Sequence, residues 1–250
     1  MEPKGTVVKK VLPVIYIIDT STSMRRERIA AVNEAMRDSI EIMKEKAKEN
    51  AEVAIKVGVL IFSNGCRWLS NKLVDIEDFY WNNITADGLT DLGYALQELN
   101  EKLSRKAYLD FPVGYVSPIL IFITDGYPTD DWKGALKRVN NENSVFRDST
   151  KVCIAIDNNT DIDALAQLAG NSNGVIKADN LEALKAFIVA VSTTSSMMRQ
   201  SHLAGDPELE ISKQAFDKVK EKDGIEYIEI TEEDSWDSDN GNFDDDGNWD

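Results

Sequence analysis

The stretch Val11-Leu12-Pro13-Val14-Ile15-Tyr16-Ile17-Ile18-Asp19-Thr20-Ser21-Thr22-Ser23 decides the fold, because an apolar run of strand length leads straight into a carboxylate and hydroxyls. A near-continuous apolar run of this kind suits a strand covered on both faces, as in a parallel sheet. Where it ends, Asp19, Ser21 and Ser23 stand at alternate positions and deliver three hard oxygen ligands to one point. Oxygen donors of this kind suit Mg²⁺, which takes near-octahedral geometry and keeps several waters, so a few ligands from separate loops suffice. Two further segments complete the set: Gly88-Leu89-Thr90-Asp91-Leu92-Gly93 and Ile123-Thr124-Asp125-Gly126.

Outward from that stretch, strand and helix periods alternate. Residues 53–62 are β-branched at alternate positions and too apolar for a surface strand, and residues 119–123, 152–156 and 175–176 give further short buried strands. Helical stripes lie between them: Ile29, Val32, Met36, Ile40 and Met43; Leu92, Ala95, Leu96, Leu99 and Leu103; Leu181, Leu184, Ile188 and Val191. Residues 66–76, after the turn Ser63-Asn64-Gly65, read as a hairpin partner rather than a crossover strand. The expected fold is α/β: a doubly wound, mostly parallel sheet with one antiparallel edge strand and helices on both faces. Asp19 and Asp125 then fall just past the carboxyl ends of strands, the edge where open doubly wound sheets bind ligands.

The DxSxS run after a first strand, a lone Thr90 in a glycine-flanked loop and Thr124-Asp125-Gly126 after a later strand resemble the von Willebrand factor A (VWA) family. The resemblance spans about residues 11–196 and implies a metal-ion-dependent adhesion site, or MIDAS, formed by Asp19, Ser21, Ser23, Thr90 and Asp125. It implies Mg²⁺ there, with Mn²⁺ or Ca²⁺ as substitutes, leaving one position open to a carboxylate from a protein partner. Thr22 stands where many relatives have Gly; its β-branch narrows the backbone but removes no ligand. Stretches such as Thr90-Asp91-Leu92-Gly93-Tyr94-Ala95-Leu96 and Thr124-Asp125-Gly126-Tyr127-Pro128-Thr129-Asp130-Asp131-Trp132 are similar to the bacterial intracellular branch associated with tellurite resistance and stress response. That branch implies a PP2C-type phosphatase or a protein kinase as partner. A rival use of the same residues needs no metal: the hydroxyls cap the following helix and Asp19 pairs with Arg25 or Arg26. Asp91 reads as a cap for the helix that follows it, Asp130 and Asp131 as helix-start acids, and Trp132 as packed beneath its loop.

Composition narrows the function classes. The 250 residues, 42% apolar, suit one sizeable α/β domain plus extensions. The expected division is an arm at 1–10, the VWA-like domain at 11–200, an extension at 201–230 and an acidic tail at 231–250. No run approaches the roughly 18 apolar residues of a membrane span, and the first residues lack the pattern of a secretory signal, so the expected location is cytoplasmic. Cys66 and Cys153 make neither a disulfide framework nor a zinc spacing. The single histidine, His202, lies outside the expected domain, and a haloacid dehalogenase-like phosphatase would want a second Asp where Ser21 stands. The expected function is therefore a non-enzymatic, Mg²⁺-dependent adaptor. The alternatives are a metal-dependent phosphate-processing enzyme and a structural subunit with a vestigial site.

Net charge is −16, yet residues 229–250 hold ten acids and no base, which leaves −6 on the other 228 residues. Without a Lys/Arg stripe, binding to nucleic acid is disfavoured. Residues 206–222 read as a charged helix and those from 231 onward as disordered in isolation. Trp236, Phe243 and Trp249, spaced among the acids, suit docking on a basic, partly apolar groove. The tail also offers tethered carboxylates to the cation of its own or a neighbouring chain.

Overall fold

A computed structural model describes residues 9–49, 53–156, 160–178, 180–198, 207, 210–215 and 217. Among the described residues, seven strands form one sheet: β1 (Lys10–Asp19), β2 (Val53–Ser63), β3 (Gly65–Trp68), β4 (Val74–Asp75), β5 (Ile119–Thr124), β6 (Thr150–Ile156) and β7 (Val175–Ala178). Their order is β3-β2-β1-β5-β6-β7, with β4 also paired to β2. β1, β2, β5, β6 and β7 are mutually parallel, while β3 and β4 run antiparallel to β2, as the hairpin reading of residues 66–76 requires.

β1 is central because every residue from 11 to 19 is buried. Its side chains alternate between two cores, Leu12, Val14, Tyr16 and Ile18 on one face and Ile15 and Ile17 on the other. Each such aliphatic contributes roughly 1.5–3 kcal/mol on burial, so a charge at Ile17 would remove that term and add an unpaired ion to the second core. Pro13 is tolerated in this central strand. Val11 bonds Gly114 and Val116 on the β5 side, alternation turns Pro13 the same way, and the β5 ladder starts only at Val14, opposite Ile119.

The first face is covered by α1 (Glu27–Glu49) and α6 (Leu181–Met198). The second carries α2 (Leu92–Lys102), α3 (Trp132–Glu142), α4 (Ser144–Arg147) and α5 (Ile162–Ala169). The sequence stripes fall in α1, α2 and α6, whereas α5 carried no sequence expectation. The described residues 207, 210–215 and 217 are helical, in line with the charged helix read at 206–222. Ile211 and Ala215 of that segment are buried in the first core, and Ser212 Oγ donates to the Asn173 carbonyl (2.7 Å). The extension therefore packs on the domain at this point. Residues 1–8 of the arm expected at 1–10, His202 and the tail at 231–250 lie outside the described residues, and Lys10 already belongs to β1.

β2 and β5 flank β1 on opposite sides, so strand order reverses at β1. The carboxyl ends of β1 and β5 meet at that reversal, and the register Ile18↔Ile123 sets Asp19 beside Thr124.

Candidate metal centre

Asp19 is the last residue of β1 and is fully buried. Its Oδ1 accepts from the Ser21 backbone N–H (2.7 Å) and its Oδ2 from the Thr124 hydroxyl (2.6 Å). Burial pushes its pKa from the ordinary 3.8 up to about 6; the bonds from Thr124 and Ser21 oppose the rise and the nearby Asp125 charge adds to it.

The remaining oxygens close around this carboxylate. Ser21 Oγ and Ser23 Oγ lie 3.0 Å apart, and Ser23 Oγ donates to Asp125 Oδ1 (2.7 Å). Asp125 Oδ2 pairs with the Arg28 guanidinium, which also donates to the Ser23 carbonyl. Gly126 locates the centre of the set. A Cβ built there would lie 3.5 Å from Thr90 Oγ1, 3.8 Å from Ser23 Oγ and 3.9 Å from Asp19 Oδ2. Three oxygens from two loops thus border one open spot that glycine, on a third loop, leaves free. All five residues singled out from the sequence belong to this cluster: Asp19, Ser21, Ser23 and Asp125 through the bonds above, Thr90 through its approach to Gly126.

Loop 86–90 is held to the first loop by backbone bonds from Asp87 N–H to Thr20 C=O and from Thr22 N–H to Gly88 C=O. The Thr22 hydroxyl accepts from Gly88 N–H (3.0 Å), so the residue that departs from the family pattern fixes the loop leading to Thr90. Thr90 is gripped from the β5 side: its N–H donates to Thr129 Oγ1 (3.1 Å) and its carbonyl accepts from Thr129 N–H (2.9 Å). Farther back, Asn33 on α1 donates to the Ile84 carbonyl and accepts from Ile84 N–H and Trp81 Nε1, pinning the 76–91 connection.

The acids beside the motif divide their work differently from the sequence expectation. Asp91 occupies the N-cap position of α2 but makes no capping bond; its Oδ2 accepts from Gly65 N–H (2.8 Å). The α2 N-terminus is capped instead by Asp130, which accepts from Gly93 N–H and Tyr94 N–H, while Asp131 caps α3 through Gly134 N–H. Trp132 is buried in the second core. The metal-free alternative does not match the geometry: Arg25 pairs with Asp87, no side chain caps the short 3₁₀ turn Thr22–Met24, and Asp19 bonds Thr124 and Ser21. Thr124, Thr129, Asp130 and Arg28 were not singled out as parts of the site; the alternation of hydroxyls and acids after β5 was the available signal.

Among the described residues no three acids, histidines or cysteines gather as a metal cluster. The donor set here is two carboxylates with hydroxyls, which fits a hard cation that stays partly hydrated. Neither cysteine joins it: Cys153 is buried, and the Cys66 thiol, pushed up to about 12 by burial, bonds the Tyr94 carbonyl.

The von Willebrand factor type A domain model matches residues 14–128. No curated protein matches the chain. Among solved structures, the fold is similar to that of a von Willebrand factor type A protein from Catenulispora acidiphila, with TM-score 0.56 and 17% identity, covering 75% of this chain and 43% of that one. It is similar to mussel byssus proximal thread matrix protein 1 with a zinc-occupied MIDAS motif, at TM-score 0.55 and 18% identity over 75% of this chain and 48% of that one. It is also similar to the pilus adhesin SpaC of Lactobacillus rhamnosus GG, at TM-score 0.58 and 14% identity over 76% of this chain and 31% of that one. The chain thus spans less than half the length of each, and at such identities the likeness is one of fold. The family model and the shared fold thus liken residues 14–128 of this chain to von Willebrand factor type A domains.

Proposed function

We propose that this chain is a protein-binding adaptor whose contact is made through a divalent cation, Mg²⁺, held by Asp19, Ser21, Ser23, Thr90 and Asp125. The observation that carries this reading is the approach of Asp19 Oδ2, Ser23 Oγ and Thr90 Oγ1 to one spot that Gly126 keeps clear. When bound, the cation supplies an electrophilic position for one carboxylate oxygen of a partner. Asp19, disfavoured as an anion by burial, gains from positive charge placed beside it. Ser21, Ser23 and Thr90 add neutral oxygens, so two carboxylates leave the charge incompletely offset. Leu89 and Tyr127, 58% and 60% exposed, adjoin Thr90 and Gly126 and offer an apolar rim suited to a protein surface.

The reading is non-enzymatic. Ser21 stands where an aspartyl phosphatase needs its second acid, and no histidine lies among the described residues to serve a serine nucleophile. Resemblance extends the proposal to a cytoplasmic bacterial stress or tellurite-resistance system, with a PP2C-type phosphatase or protein kinase supplying the Asp or Glu. The test is capture of partners from host lysate by the full chain in Mg²⁺, in chelator and with Asp19→Ala. A protein retained only by the wild type in Mg²⁺ supports the adaptor. Capture indifferent to both changes, or phosphoester turnover lost in Asp19→Ala, overturns it.

A further inference from the structure

Next to the oxygen cluster, toward the start of α6, lies a cleft of about 500 Å³ bordered by Ser23, Arg25, Arg26, Arg28, Asn180 and Leu181. Among the described residues, Glu27 is the single acid on its lining. Two of the arginines are engaged, Arg25 with Asp87 and the Ala86 carbonyl, Arg28 with Asp125. The Arg26 side chain is exposed and has no hydrogen bond or ion pair to any described residue.

Arg26 is also the one non-glycine residue, among those described, with φ in the left-handed region, at 64°. Glycine or asparagine would hold that conformation with less steric cost, and no bond of the arginine side chain to the fold accounts for the choice. Backbone strain retained beneath an outward-facing, unpaired cation points to work done at the surface.

The chain carries a ligand of matching chemistry. Residues 229–250 hold ten carboxylates, no base, and Trp236, Phe243 and Trp249. Guanidinium groups take carboxylates in paired hydrogen bonds and stack on aromatic rings, so one arginine border serves both parts of the segment. Reach is sufficient. Ser212 is fastened to Asn173, just before β7, and Ala178 at the far end of β7 lines the cleft. At a strand rise of 3.2–3.4 Å per residue that separation is about 17 Å. The dozen residues from 217 to 229 span up to about 40 Å when extended.

We infer that the segment 229–250 docks within its own chain on the Arg25–Arg26–Arg28 cleft, Arg26 providing the principal carboxylate contact. Docking there does not depend on the cation; its consequence, that the tail covers the rim of the adhesion site and competes with an acidic partner, rests on the function proposed above.

The test uses the full chain labelled with 5-fluorotryptophan, reading the ¹⁹F resonances of Trp236 and Trp249 against a synthetic 229–250 peptide, in chelator and in Mg²⁺. In chelator the wild-type resonances are displaced from the peptide positions. Arg26→Glu, Arg26→Gly and about 0.5 M NaCl each return them to the peptide positions. Arg26→Gly relieves the backbone, so its melting temperature stays at or above wild type and unfolding cannot account for the loss. The inference is overturned if the wild-type tail resonances coincide with the peptide, or if displacement survives both Arg26 variants. Displacement that requires Mg²⁺ and ignores Arg26 assigns the tail to the cation, and displacement that grows with protein concentration assigns it to a second copy; either overturns docking in cis on the cleft.

Discussion

Replacing Asp19 by Asn separates what this side chain does for the fold from what it does for a cation. The carboxyl is fully buried and its pKa stands at about 6 against an ordinary 3.8. At neutral pH the fold therefore holds an anion it disfavours, at a cost of about 3 kcal/mol. The sign follows from proton binding. Between 3.8 and about 6 the native state binds more protons than the unfolded chain, so this group's contribution is full below pH 3.8 and lost as pH rises through 6. Asparagine removes the charge, keeps an acceptor for Ser21 N–H and turns an N–H₂ toward Thr124 Oγ1. That altered bond costs about 1 kcal/mol. The net expectation in chelator at pH 7.5 is a gain of about 1–2 kcal/mol, a rise in melting temperature of roughly 3–6 °C for a domain of this size. The gap between variant and wild type then narrows as pH falls from 7 and reverses by about pH 4, where most of the charge penalty is gone and the weaker bond of the variant remains. In Mg²⁺ at about 100 times its dissociation constant, wild type gains about 2.7 kcal/mol and the variant nothing. Thermal unfolding by circular dichroism across pH, with and without Mg²⁺, reads all three. A variant that melts below wild type in chelator at pH 7.5 refutes the reasoning, because Asp19 would then be a net support of the fold.

How much of this was legible in the sequence depended on whether the determining contact is local. Asp19, Ser21 and Ser23 are two residues apart in sequence, and the short 3₁₀ turn that follows β1 gathers their oxygens, so the determining contact is local. The strands were legible because parallel pairing buries both faces, as in β1, β2, β5 and β6, and the stripes of α1, α2 and α6 because those helices are long enough for the period to repeat. α5 has eight residues and its short Ala/Leu pattern repeats too little to stand out. The role of Asp130 was illegible for a different reason. It sits one residue before the cap of α3, yet it caps α2, and only the approach of the 124–131 loop to loop 86–90 determines which helix it serves. The same approach gives Thr129 its grip on Thr90 and sends Arg28 to Asp125, contacts across 39 and 97 residues that no periodicity encodes.

Three further changes probe the site from its support, its centre and its edge. Asn33→Ala removes the only side chain bonding both Ile84 backbone groups and Trp81 among the described residues, leaving buried polar groups unpaired; denaturant unfolding should show a loss of about 2–3 kcal/mol. Gly126→Ala places a methyl at ordinary contact distance from Thr90, Ser23 and Asp19, so the fold survives while calorimetry should show Mg²⁺ affinity down by about tenfold or more. Arg28→Gln acts in opposite directions on fold and site. The guanidinium compensates Asp125, whose side chain is fully buried, so its loss lowers stability in chelator by about 1–3 kcal/mol. The same guanidinium competes with a cation for Asp125 Oδ2, so its loss tightens Mg²⁺ binding several-fold. Calorimetric titration beside thermal unfolding separates the two terms: weaker Mg²⁺ binding in Arg28→Gln would mean that Arg28 orients Asp125 for the cation and that competition is the smaller effect.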